Sequence, residues 1–126
     1  HWMPEARVIP TKDLASLLTR DQEYFEWIKQ SPLLYDDRPA LRTGFTLMAF
    51  SNHIESEVDK VQLPVLIMHG EKDEITDPEM SQFFYDKCGC KEKTIKIFKD
   101  AMHGLLFDTC KSEVYSTIDE WIKQQR

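Results

Sequence analysis

Apolar positions change their rhythm near Leu63-Pro64. Upstream they recur at three- and four-residue spacing, the signature of helices with one buried stripe. Leu14, Leu17 and Leu18 form one such stripe behind Thr11, and Tyr24, Phe25 and Ile28 form another behind Asp21. Thr11 and Asp21 are both good N-caps, because their side-chain oxygens can accept from the orphan N–H groups of a first helical turn. Ser31-Pro32 ends the second helix, since a residue before proline avoids the helical region. A third helix is expected from about Pro39 to Glu55. Its apolar residues Leu41, Phe45, Leu47, Met48, Ala49, Phe50 and Ile54 wrap more than one face. Such a helix is either deeply buried, the commoner case, or lines an apolar cavity.

Downstream, strand and helix alternate. Val65-Leu66-Ile67-Met68 is an unbroken apolar run ending at His69-Gly70, as in a strand covered on both faces of a parallel sheet. Asp77 is an N-cap with Pro78 at the first helical position and Glu79 near the positive helix end. Met80, Phe83 and Phe84 supply that helix's buried stripe, and Gly89 stops it. Thr94 to Lys99 alternates and reads as a second, less buried strand. After a loop from Asp100 to about Thr109, a last helix sets Val114, Tyr115, Ile118, Trp121 and Ile122 on one face. The whole is an α/β chain: a helical portion over residues 1–60, then strand–helix–strand–loop–helix over residues 61–126 with parallel strands. A strand–helix–strand crossover points both strand ends at one sheet edge, where ligand and catalytic groups of open α/β sheets collect.

Composition narrows the function classes. Of 126 residues, 41% are hydrophobic, 30% charged and 11% aromatic, which describes an ordinary globular core. The net charge of −6 disfavours nucleic acid, whose phosphates need a basic face. No apolar run approaches the roughly 18 residues of a membrane-spanning helix, and the start, His1-Trp2-Met3-Pro4, has no signal-peptide pattern. A first residue other than Met implies a chain cut from something longer or a tag remnant before Met3. Cys88, Cys90 and Cys110 are an odd, irregularly spaced set, expected as free thiols of a reducing, cytoplasmic compartment. No metal site and no cofactor is expected from them.

Two residues carry the candidate chemistry. Asp73 follows the first strand and His103 follows the second. A neutral histidine takes a proton from a hydroxyl near neutral pH only if its tautomer is fixed and its developing charge stabilised. A carboxylate on the other ring nitrogen does both. Strands about 5 Å apart bring such a pair within reach. Singly, each residue also suits an ordinary turn or loop.

The residues around the pair resemble a family. The segment Pro64-Val65-Leu66-Ile67-Met68-His69-Gly70-Glu71-Lys72-Asp73, with Asp77-Pro78 beyond, is similar to the strand and turn around the triad aspartate of α/β-hydrolases. The run from Glu92 through Lys93-Thr94-Ile95-Lys96-Ile97-Phe98 to Asp100-Ala101-Met102-His103 is similar to the strand and loop bearing the triad histidine. The chain is most similar to the monoacylglycerol lipase/lysophospholipase branch (serine aminopeptidase S33-like). Leu18-Thr19-Arg20-Asp21 and Ser31-Pro32-Leu33-Leu34-Tyr35 resemble stretches of that branch's cap. The resemblance implies that Asp73 orients His103, that His103 is the general base, and that residues up to about 60 are cap. It also places Leu47, Met48 and Ile75 among apolar tunnel residues binding substrate; ordinary core packing explains each equally well. Asp100 stands where the branch commonly has glycine, Phe107 where it often has a polar residue or histidine, and Thr76 where some members carry cysteine.

The branch's nucleophile is absent. Its order is Ser, Asp, His, with the serine in a G-x-S-x-G turn. None of Gly44, Gly70, Gly89 and Gly104 begins a Gly-x-Ser. The expectation is a C-terminal portion of a serine hydrolase of lipid esters, inactive alone, with an apolar strand edge open to the rest of the hydrolase or to a second copy. The resemblance adds a lipid ester substrate and peripheral membrane contact through the cap. A non-enzymatic α/β-hydrolase-like interaction module and a cysteine-based redox or metal domain are the other readings.

Overall fold

The computed structural model describes residues 3–7, 14–34 and 38–125. The Thr11 cap lies outside them. Three helices come first: α1 (Leu14–Leu18), α2 (Gln22–Lys29) and α3 (Leu41–Glu57), the last running into a 3-10 turn at Val58–Lys60. Strand β1 (Val65–Gly70), helix α4 (Pro78–Lys87), strand β2 (Lys93–Phe98), a 3-10 turn at Leu105–Phe107 and helix α5 (Lys111–Gln124) follow. The expected caps form. The Asp21 side chain accepts from the Tyr24 amide and opens α2, while Asp77 accepts from the Glu79 amide and opens α4 with Pro78 at its first turn.

β1 and β2 pair in parallel, Val65 opposite Lys93 through Gly70 opposite Phe98. Among the described residues they make a two-stranded sheet. The period of two along β1 sorts its side chains between two cores. Val65 packs with Val58, Val61, Phe83, Phe84, Cys88 and Cys90 on one face, beneath α4. Met68 packs with Phe98, Ala101, Val114 and Ile118 on the other, beneath α5. A strand clothed on both faces has to be apolar throughout, which is why the alternation seen in β2 is missing from β1.

Three packing expectations are corrected. α3 buries none of its residues: Phe45, Leu47, Met48 and Phe50 are all about half exposed or more, Met48 at 64%. Hydrophobicity on several faces signals apolar neighbours, and within these residues α3 has too few elements beside it to supply them. On α5, Val114 is fully buried, whereas Tyr115 and Ile122 are exposed, because the helix meets the sheet along a narrower stripe than its apolar residues cover. Met80 on α4 is likewise exposed, and Phe83 and Phe84 face the core.

The cysteines are corrected too. Cys88 and Cys90 are bonded to each other, and Cys110 is the free thiol. Cys88 ends α4 in an extended conformation, and the chain turns at Gly89 against Asp59 in the 3-10 turn before β1, so both sulfurs face inward. A parity argument over the whole sequence does not register such a local turn.

Candidate active site

The hydrogen bonding of the sheet continues past both strands and brings two loops together. The Glu71 amide donates to Phe98 O at 2.9 Å and the Lys72 amide to Ala101 O at 2.9 Å. The Glu71 carboxylate accepts from the Asp100 amide at 3.0 Å. Asp100 has φ 57°, the left-handed conformation that glycine takes most easily and aspartate tolerates better than most residues. The departure from glycine at this position therefore leaves a glycine-like turn in place.

These ties set Asp73 against His103. His103 Nδ1 lies 2.8 Å from Asp73 Oδ2 in a hydrogen bond. Asp73 Oδ1 accepts from the amides of Ile75, at 2.8 Å, and Thr76, at 3.0 Å, and the Thr76 hydroxyl donates to Oδ2 at 2.8 Å. The Asp73 side chain is 2% exposed, whereas that of His103 is 36% exposed. Burial pushes the Asp73 carboxyl up. The Thr76 amide, the His103 ring, the Thr76 hydroxyl and the Ile75 amide outweigh it and hold the group far below the usual carboxylate range. Asp73 is thus a fixed anion, and Nδ1 of His103 carries the proton that points at it. That leaves Nε2, at the more open end of the ring, as the nitrogen able to accept a proton.

A second histidine stands on the same carboxylate. His69 Nε2 is 2.9 Å from Asp73 Oδ2 and 3.3 Å from the Thr76 carbonyl oxygen, and its Nδ1 is 2.6 Å from Ser81 Oγ. With Nε2 as donor, Nδ1 accepts the Ser81 proton, so this ring is engaged at both ends and serves as a prop for the Asp73 loop. The role of His69 is not evident from the sequence, where Thr76 stands out only as a departure from the branch's pattern. The signal available for His69 was its place at the end of β1, where an inward side chain faces the following loop.

Of the apolar positions, Ile75 is half-buried in the Asp73 loop, its amide bonded to that carboxylate. Leu47 and Met48 point to solvent from α3 and are not brought to the pair. Two open cavities of about 550 Å3 flank the sheet. One lies between α3, α4 and the face of β1 bearing Ile67 and His69. The other has His103 at its rim and Leu18, Leu66, Phe107 and Ile118 in its apolar wall. Phe107 stacks on Tyr24 with ring centroids 4.4 Å apart, which gives an aromatic residue at this position a packing role.

The described arrangement has counterparts. The chain is 27% identical over 120 residues to the caffeoylshikimate esterase of Arabidopsis thaliana, covering 93% of this chain and 36% of that protein. It is 27% identical to the monoglyceride lipase of Saccharomyces cerevisiae, covering 98% of this chain and 41% of that one. The crystal structure of a monoacylglycerol lipase from Paleococcus ferrophilus superposes with a TM-score of 0.81 at 28% identity, over 89% of this chain and 44% of the other. A soluble variant of the yeast monoglyceride lipase superposes with a TM-score of 0.82 at 22% identity, over 98% of this chain and 45% of the other. The chain thus spans less than half the length of these relatives, and its fold is that of the corresponding part of α/β-hydrolase lipases. The family model described as serine aminopeptidase, S33, matches residues 1–110, and the chain belongs to that family.

Proposed function

We propose that the protein to which these residues belong hydrolyses carboxylic esters of lipids, monoacylglycerols or lysophospholipids, with Asp73 and His103 as two members of its catalytic triad. The observation that carries the reading is the 2.8 Å hydrogen bond from His103 Nδ1 to the buried Asp73 carboxylate. The third member is a serine outside these residues. In the reaction, His103 Nε2 takes the serine hydroxyl proton as the oxygen attacks the ester carbonyl. Asp73 stabilises the imidazolium, and the proton passes to the departing alkoxide, releasing the alcohol. Water repeats the cycle on the acyl-enzyme, yielding the fatty acid and free serine. Residues 1–60 form the cap and residues 61–126 the end of the catalytic core. The apolar residues of α3, Leu47 and Met48 among them, together with Ile75, face the acyl chain or a membrane surface. The open edge of β1 takes the rest of the hydrolase.

The test is fatty-acid release from a monoacylglycerol by the protein carrying both the serine and these residues. Asp73→Asn and His103→Ala should each lower kcat by roughly 10³-fold or more while the protein stays folded. Turnover within a few-fold of the unsubstituted protein would reject the roles. A second reading, a non-catalytic binding module of the same fold, rests on the lack of any Gly-x-Ser in these residues. Unaltered ligand binding with no ester turnover in the serine-bearing protein would favour it.

A further inference from the structure

Asp108 is a buried charge that the proposed reaction does not use. Its side chain is 0% exposed. Oδ2 accepts from the Met102 amide at 2.7 Å, and Oδ1 accepts from the amides of Arg20 at 2.9 Å and Thr109 at 2.8 Å. The Thr19 hydroxyl donates to Phe107 O at 3.0 Å and lies 3.4 Å from Asp108 Oδ1. Arg20 Nε, at 3.9 Å, adds a looser ionic contact.

The placement of these donors matters more than their number. Met102 and Gly104 are the two neighbours of His103. The Met102 amide is held by Asp108, which also holds the Arg20 amide, and the Gly104 amide donates to Leu18 O at 2.7 Å. His103 is therefore slung between two backbone anchors, both fastened to residues 18–20 in the turn from α1 to α2. A carboxylate suits this post because every partner is a donor. An amide in its place would turn an NH2 group toward one of the backbone N–H groups, leaving a buried donor without an acceptor.

We infer that Asp108 is a positioning residue for His103: it fixes the backbone ahead of the imidazole against the 18–20 turn so that Nδ1 meets Asp73. The inference rests on the reading of Asp73 and His103 as an orienter and base. It also makes the α1–α2 turn part of the machinery that sets the histidine.

The experiment is NMR of the whole serine-bearing protein with 15N-labelled histidine. In the unsubstituted protein, neutral His103 should be the Nδ1–H tautomer, with that proton shifted downfield and slow to exchange. In Asp108→Asn the amide spectrum should keep its dispersion, His69 should keep its signals, and His103 should lose the downfield proton and move to the Nε2–H tautomer. Retention of the Nδ1–H signature in folded Asp108→Asn would overturn the inference and leave the Asp73–His103 pair standing. Absence of the signature in the unsubstituted protein would overturn the pair, and the inference with it. Where Asp108→Asn does not fold, hydrogen exchange of the unsubstituted protein decides. Met102 and Gly104 amides protected as well as those of β2 support the tether, and exchange as fast as an open loop overturns it.

Discussion

A β-carbon on Gly70 would stand 2.4 Å from the carbonyl oxygen of Met102, the residue before His103, and 2.5 Å from that of Ala101. Both obstacles are backbone, so neither can swing aside as a side chain would. Gly70 ends β1 and starts the Asp73 loop, so the bare Cα there is what lets the two loops close on each other. Gly70→Ala should push the His103 loop away and cost about 1–3 kcal/mol through overpacking. Denaturant unfolding measures the cost, and the His103 Nδ1 proton reports the displacement. An alanine variant as stable as the parent, with that proton unmoved, would contradict the close approach.

Asp100 offers the converse test. Its φ of 57° is strained for most residues but free for glycine. Asp100→Gly should therefore stay within about 1 kcal/mol of the parent, relief of strain offsetting the added freedom of the unfolded chain. Asp100→Val, β-branched in a left-handed position, should lose about 1–2 kcal/mol. Equal midpoints for the two variants in urea would mean that the turn is not left-handed.

How much of this was legible beforehand follows the range of each interaction. The caps at Asp21 and Asp77 satisfy donors two or three residues away, and the strand at Val65 announces itself in its own composition. The Asp73–His103 pair spans 30 residues yet could be anticipated, since one crossover delivers both loops to one sheet edge. Asp108 could not. Its partner Arg20 is 88 residues distant, and nothing local distinguishes it from the other loop aspartates until the α1–α2 turn docks. His69 sits within the expected strand, but its contact with Ser81 depends on how α4 packs back. For α3, apolar residues marked a surface that avoids water without saying whether these residues contain its cover.

The exposure of α3 makes a prediction that ordinary core residues would not share. Leu47 is 61% exposed and Met48 64% exposed, whereas Val114 is 0% exposed. Leu47→Gln with Met48→Gln should change the stability of the chain by no more than about 0.5 kcal/mol, as for surface sites. The same pair should weaken the fluorescence of a dye that binds exposed apolar surface, such as ANS. Val114→Ala should by contrast cost about 1–3 kcal/mol by opening a cavity beneath α5. A large loss of stability in the glutamine pair would place α3 in the core after all.

The two buried carboxylates predict an acid limb of stability. Burial pushes both up, but the donors around Asp73 and the amides of Met102, Arg20 and Thr109 around Asp108 outweigh it, and both groups lie below their ordinary value of 3.8. Below that value the unfolded chain takes up protons that the folded chain still refuses, so its proton count is the higher and stability falls with falling pH. The stabilisation is complete above about pH 5 and drains away below about pH 4 as the folded-state carboxyls are finally protonated. Thermal melts followed by circular dichroism should give a Tm that drops steeply over that acid range. Asp108→Asn has no proton to gain there. Its Tm should start lower at neutral pH and decline less on acidification, the two curves converging near the acid end. Parallel curves for the two proteins would show that Asp108 carries no depressed carboxyl, and that the anchor before His103 is held by something other than its charge.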